Sequence, residues 1–423
     1  MNGRLELTER DQALAAGELG QAAELAMSIL LRMARIQGAE RLLSIEGAHI
    51  DSTLYMGQAT LEFAERLANL GAKVSVPTTL NVSGVDVASW HDWAVPAEWA
   101  EQARRQMVAY QSMGAEPTWT CAPYQTKFKP SFGQQIAWGE SNAIVFANSV
   151  IGARTERYPD LLDICGAITG RVPAVGLHLK QNRLGEVLLQ LEDIPEALQA
   201  ADSFYPVLGH LMGKLAGVRI PVIDGLTVTP TEDQLKALGA AAASSGSVAM
   251  FHWVGVTPEA PDLETALGAR QPVNFERINM ERLQEARAEL TTHEGAQLDM
   301  VVLGSPHFSI QEFAQLAPML EGEQRAPDVE FLVTSSRAMA ALAEKAGFLQ
   351  SLREFGGKVT LDTCILTTPM LPDDISILMT NSAKYAYYAP GLLGTQVVFG
   401  STQDCVRSAV EGRVVRDESL WQW

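Results

Sequence analysis

A chain of 423 residues, 47% hydrophobic and 19% charged, is long and apolar enough to bury the cores of two or three domains. Its net charge of −18 opposes nucleic acid and anionic membranes, both of which select basic faces. No stretch reaches the roughly 18 uninterrupted apolar residues that span a bilayer, and the polar start MNGRLELTERDQ has no apolar signal core, so a cytoplasmic protein is expected.

Thr8 with Asp11 three residues on resembles a capping box. The apolar positions Leu19, Ala22, Ala26, Ile29, Leu30, Met33 and Ile36 keep helical spacing, and Gly38 sits where a helix ends. One first helix is therefore expected there. Strand-like RLLSIEGAH follows, then a helix over Thr60–Leu70, then a short strand KVSVP leading into the polar turn Thr78–Asn81. His49 and this turn would thus lie just past strand ends. Glu98–Gly114 reads as a helix and TWTCAPY as an extended segment, because proline restricts the residue before it.

The stretch from Ser131 to His178 is dense in polar residues set within apolar text: Glu140-Ser141-Asn142 after Trp138, Asn148-Ser149, then Gly152, Arg154 and Thr155. Such mixing suits a pocket wall that holds a polar ligand. It suits equally a buried hydrogen-bond network that fixes the core. The middle of the chain alternates helix and strand, with Val218–Ile223 and Val248–Trp253 as buried strands. GHLMGK (209–214) is one residue short of a phosphate loop and lacks its Ser or Thr. Residues 257–295 read as acidic surface helices and loops.

The last third gives strands at Asp299–Gly304, Val329–Thr334, Lys358–Leu361, Ile375–Met379 and Gln396–Phe399, separated by helical text such as Ser309–Leu320 and Ser336–Ala346. This alternation predicts a parallel sheet with covering helices. Each strand exits into small polar groups, and open α/β sheets bind ligands at that carboxyl edge. Three domains are expected, over 1–180, 181–295 and 296–423.

Four cysteines, Cys121, Cys165, Cys364 and Cys405, show no CxxC pairing, which leaves buried thiols or metal ligands in a reducing compartment. Cys364 follows a strand directly, and Cys405 falls in the first turn of a helix, a position that favours thiolate. These two with a third from another domain would make a three-thiolate site. Lys384 with Tyr385, Tyr387 and Tyr388 suggests a basic, aromatic rim for an anion; snorkelling and packing explain it as well.

GQQIAWGESNAIVFANSVIGARTERYPDLLDICGAITGRVP, with VPTTLN (76–81), CAPY (121–124), DTC (362–364) and NSAKYAYYAPG (381–391), resembles the large catalytic part of the aconitase X family across nearly the whole chain. The resemblance implies an aconitase-like, multi-domain α/β fold with parallel sheets covered by helices and a site at strand carboxyl ends. It implies a hydro-lyase with an iron–sulfur cluster, 2Fe–2S favoured, held by Cys121, Cys364 and Cys405, while Cys165 is structural. Gly47, Glu156 and Ser305 depart from the family's usual residues, which touches substrate specificity more than the cluster. The LDICGAITGR form is similar to the bacterial group that dehydrates cis-3-hydroxy-L-proline. Alternatives are dehydration of mevalonate 5-phosphate and a non-catalytic homologue that keeps the pocket.

Lys384, His49 and Ser141 are the expected catalytic residues, and Thr79, Asn81, Glu140, Asn142 and Arg154 the expected substrate-binding ones. Lys384 or Arg154 would pair with the substrate carboxylate. No leftover stretch of about 100–150 residues remains for the family's smaller swivelling domain, so a separate small subunit is the expected partner.

Overall fold

The computed structural model describes residues 5–268 and 270–422. They form two compact units, Met1–Val87 with Pro96–Leu184, and Ala88–Val95 with Gly185–Trp423.

In the first unit the expected first helix is two, α1 (Glu9–Ala15) and α2 (Gln21–Ile36). The capping box belongs to α1. Between them Gly17 and Gly20 take left-handed φ values of 76° and 103°, which breaks the backbone although the apolar spacing runs on. A small antiparallel pair, β1 (Leu42–Ser44) and β5 (Arg171–Pro173), lies apart from a three-stranded parallel sheet. That sheet has the order β3-β2-β4, with β2 (Ala48–Ile50) central between β3 (Thr78–Leu80) and β4 (Ala137–Trp138). The polar segment expected as a turn is thus the strand itself, and KVSVP (73–77) is its irregular approach. Thr79 lies opposite His49 in register, and Thr78 to Leu80 are buried, so sheet pairing absorbs these threonines. Helices α3 (Gln58–Asn69), α4 (Ala97–Ser112), α5 (Ser141–Phe146) and α6 (Leu162–Thr169) complete the unit.

The second unit holds two sheets. One is wholly parallel in the order β8-β7-β6-β9, from β6 (Val187–Leu191), β7 (Pro221–Asp224), β8 (His252–Trp253) and β9 (Asn274–Ile278). Strand β9 falls in the segment expected as helices and loops; four of its five residues are not buried, so it carries no apolar run. Of the same segment, α10 (Leu263–Leu267) and α11 (Met280–Glu289) are helical as expected. After α7 (Glu196–Ala200), the helix α8 (Phe204–Ala216) packs on α9 (Glu232–Ser245). Here the glycines of GHLMGK find their use. A Cβ at Gly209 would lie 2.3 Å from the Leu238 carbonyl oxygen, and one at Gly213 2.7 Å from that of Ala242, so the two helices touch backbone to backbone.

The other sheet has the parallel order β12-β11-β10-β13-β14, built from β10 (Met300–Phe308), β11 (Glu330–Ser335), β12 (Lys358–Leu361), β13 (Ile377–Thr380) and β14 (Gln396–Phe399). Helices α12 (Ile310–Leu320), α13 (Arg337–Lys345), α14 (Phe348–Phe355), α15 (Ala383–Leu392) and α16 (Thr402–Glu411) alternate with them. All five strands expected from the sequence are present, and α14 is an addition to the helices named. Chain order reverses direction between β10 and β13, the position at which doubly wound sheets open a crevice.

We predict that Gly209→Val destabilises the second unit by about 1–3 kcal/mol, because no flexible neighbour can yield to the new methyls. Urea unfolding measures it, and an unchanged midpoint would show that α8 and α9 can separate without cost.

Candidate functional site

Three parallel strands of the first unit end together, and each brings polar residues to the same edge: His49 and Asp51 from β2, Thr79 and Asn81 from β3, and Glu140 after β4. Neighbouring strands lie about 4.8 Å apart, so these groups are near neighbours. His49 is wholly buried, with its Nδ1 2.7 Å from the Thr79 hydroxyl and its ring beside Trp138. Burial drives its pKa down to about 3, so it is a neutral imidazole at physiological pH. The Asn81 side-chain amide donates to Asp51 Oδ1.

Around this edge the carboxylates divide their work. Asp163, on α6, accepts from the backbone N–H groups of Asp51 (2.6 Å), Ser52 (3.1 Å) and Ile164 (2.7 Å) and from the Ser52 hydroxyl (2.6 Å). It thereby pins the 3-10 turn Asp51–Thr53 at the end of β2. Glu140 is the N-cap of α5; its Oε2 accepts from Ala143 N–H at 2.7 Å and its Oε1 from the Ser141 hydroxyl at 3.3 Å. Asp51 was not among the sequence candidates. Its pKa rises to about 7, first through burial and then through the charges of Glu140, Asp163 and Asp160. The signal was its place directly after His49-Ile50 at a strand exit.

Asn142 reaches in another direction. Its amide donates to the Cys121 carbonyl at 3.0 Å and pairs with the Tyr124 hydroxyl, tying α5 to the CAPY segment. Ser141 and Cys121 are half-buried. Arg154 is not at the strand exits. Its backbone pairs with Gln135, ahead of β4, and its charge helps hold down the pKa of His178, for which burial is the main cause. Much of the polar stretch proves to be a core network. The Asn148 side-chain amide donates to the Thr155 carbonyl and accepts from the Thr155 N–H, and the buried Arg183 guanidinium donates to Asn148 Oδ1 and to the Asn148, Leu177 and Ala153 carbonyls.

In the second unit Lys384 is half-buried in the first turn of α15, whose N-cap Ser382 donates its hydroxyl to the Ser305 carbonyl. Cys364 is half-buried in the loop after β12. His307 Nε2 donates to the neighbouring Thr363 carbonyl at 3.0 Å, and the Tyr385 phenol nearby is wholly buried, which pushes its pKa up. Cys405 sits in the first turn of α16, as the sequence suggested, but its side chain belongs to the apolar core with Met379, Val398 and Phe308. Burial, with Asp404 and Asp202, pushes its thiol up, outweighing the helix terminus. Burial does the same to Cys165. The four cysteines are thiols, and among the described residues no three His, Cys, Asp or Glu side chains gather as a metal-binding group. As donors for an iron–sulfur cluster, the half-buried Cys121 and Cys364 suit the role. Cys405 as packed here does not.

A cavity of about 440 Å³ in the second unit, lined by Asp202, Asp233, Glu312, Asn381, Thr402 and Arg407 among others, includes none of these cysteines nor Lys384. Among the described residues no helix is long and apolar enough to cross a membrane.

Comparison with known proteins places these features in a family. The first, second and third domains of aconitase X match residues 4–181, 185–288 and 298–411. A cis-3-hydroxy-L-proline dehydratase of Pseudomonas aeruginosa is 52% identical over 414 residues, covering 97% of this chain and 71% of the relative. One from Hypocrea jecorina is 46% identical, covering 96% and 69%. A phosphomevalonate dehydratase large subunit of Methanosarcina mazei is 34% identical, covering 96% and 98%. The crystal structure of Thermococcus kodakaraensis aconitase X in its holo-form superposes with a TM-score of 0.85 at 32% identity, covering 96% of this chain and all of that one.

Glu140→Ala should cost about 0.5–2 kcal/mol of stability through the lost cap, read by chemical denaturation. Glu140→Gln, which can still accept from Ala143, should cost less; equal losses would show that the carboxylate charge, not the cap, is the contribution.

Proposed function

The chain belongs to the aconitase X family, and from that premise we propose that it removes water from cis-3-hydroxy-L-proline to give a pyrroline carboxylate. The observation that carries this is the 52% identity to the Pseudomonas aeruginosa dehydratase, against 34% to the Methanosarcina mazei phosphomevalonate subunit. The charge at the β2–β3–β4 edge favours the same substrate. Asp51, Glu140 and Asp163 make a carboxylate-rich neighbourhood that attracts the ring ammonium of an imino acid and repels a phosphate. Neutral His49, buried against Thr79, adds a hydrogen-bonding group without charge.

The proposed cofactor is an iron–sulfur cluster to which the half-buried Cys121 and Cys364 would supply thiolates; the core packing of Cys405 opposes the third ligand role that the family resemblance gives it. When bound, it would supply a Lewis acid for the leaving hydroxyl. The proposed partner is the small swivelling part of the family, since the archaeal relatives are named as large subunits.

Anaerobically purified protein, supplied with a small subunit of the family, should turn over cis-3-hydroxy-L-proline with a kcat/KM at least about 100-fold above that for mevalonate 5-phosphate. The reverse preference would support the phosphomevalonate reaction, and turnover of neither a pocket-retaining homologue. Cys121→Ser and Cys364→Ser should each lose bound iron and visible absorption, while Cys165→Ser keeps both. Cys405→Ser decides between ligand and core packing: iron loss without change in the melting temperature assigns it to the cluster.

A further inference from the structure

After α16 the chain runs back across the second unit, and the way it is held changes at Asp417. Up to that residue the backbone is stitched down. The Val414 N–H donates to the Ala296 carbonyl (2.9 Å), that of Val415 to the Ser408 hydroxyl (2.9 Å) and that of Asp417 to Asp404 Oδ1 (2.8 Å). Beyond Asp417 the described backbone N–H bonds stay inside the segment, Ser419 to Asp417 Oδ1 and Trp421 to the Glu418 carbonyl, both 2.9 Å. The 3-10 turn Ser419–Trp421 rests beside α7, and its ties to the unit are made by two side chains on one face of α11. Glu418 accepts from both terminal nitrogens of Arg287, the Arg287 guanidinium lies 4.9 Å from the centre of the Trp421 ring, and the Gln284 amide donates to the Trp421 carbonyl.

Behind this segment lies the cavity of about 440 Å³, and Asp417, Leu420 and Trp421 form one of its walls. The other walls hold carboxylates that are already engaged. Asp202 accepts from the Thr402 N–H and hydroxyl, Asp233 and Glu312 meet Lys236, and Asp404 closes the capping box of α16. Acidity therefore does not make the cavity a cation site. Its distinctive feature is the wall, which is ordered by so few contacts. The closed position also carries a cost. Among the described residues Arg287 Nε is buried with no hydrogen-bond partner, a donor that water would satisfy once the segment lifted.

We propose that Glu418–Trp421 is a latch, and that the segment lifts from α11 by pivoting after Asp417, which opens the cavity to solvent and to small solutes. The strand β14 and helix α16 stay folded as it does so, because their own bonds end at Asp417. Lifting breaks the ion pair and the ring contact on Arg287, and it returns chain entropy and the hydration of Arg287 Nε. The inference concerns access to the cavity and needs no substrate, so it stands apart from the dehydration reading.

The test is made on the full chain by hydrogen exchange and by thiol labelling. Arg287→Met keeps an apolar stem over Trp421 but removes the ion pair and the cation. It should quicken exchange in residues 418–422 at least about 10-fold while α16 and β14 keep their wild-type rates. Ala237→Cys places a thiol on the cavity wall that α9 supplies. Its reaction with N-ethylmaleimide, separated from that of the native cysteines by peptide mass, should quicken by a similar factor when combined with Arg287→Met. Glu418→Gln, at a partly exposed position, keeps an oxygen for Arg287 and should produce a smaller rise in both measurements. It decides the question alone if Arg287→Met does not fold. Labelling at the wild-type rate in the latch variants, or exchange that quickens equally in α16 and β14, would overturn the proposal.

Discussion

The Asp163 carboxylate decides the shape of the candidate site. Backbone N–H groups at a strand exit would otherwise turn to water. Here three backbone donors and the Ser52 hydroxyl converge on one buried side chain. A carboxylate that accepts so many bonds holds its partners more firmly than any apolar contact could, because breaking one leaves a buried charge short of a donor. The turn Asp51–Thr53 is fixed from α6, and Gln106 on α4 secures its far side through the Ser52 and Leu54 carbonyls. Asp51 inherits its position from that arrangement, while its pKa is raised first by burial and then by Glu140, with Asp163 adding to both.

The second unit solves the same problem with ion pairs. Lys236 on α9 is wholly buried and meets Asp233, Glu312 and the His307 carbonyl, while Ser309 bonds Asp233. Burial alone would strip the lysine of its proton, and the charges of the two carboxylates keep it. Glu312 also closes the capping box of α12, so one carboxylate serves helix and ion pair together. At the end of β12, Asp362 takes a left-handed φ of 62° and pairs with Arg337, which turns the chain toward Cys364. Strain at a non-glycine residue beside a polar sheet edge is common where geometry serves function.

The polar stretch after Ser131 shows how one pattern divides between two purposes. Glu140 and Asn142 lie at the strand exits or beside the CAPY segment. Asn148, Thr155 and Arg183 instead cross-link the π turn Ala147–Ile151 and the segment that follows it. The core-network reading holds for Asn148, Thr155 and Arg183, while Glu140 caps α5 and Asn142 ties it to the CAPY segment. The division follows from where α5 gives way to the π turn, which one residue's composition does not reveal.

Local chemistry determined much of this protein from sequence. The five strands of the second unit's larger sheet, their covering helices and the polar exits were legible because apolar runs and capping residues act over a few positions. The family motifs were legible because they are long. Where glycine dihedrals or pairing partners ruled, the sequence misled: the first helix breaks at Gly17 and Gly20, and Thr78–Leu80 is a strand because β2 lies beside it. Only tertiary structure decided that Arg154 sits ahead of β4, that Cys405 packs into a core, and that Asp51 meets the Asn81 amide. The physical reason is that burial and charge at a residue are set by neighbours distant in sequence. Asp163 stands 112 positions from the Asp51 N–H that it holds, and no local pattern encodes that bond.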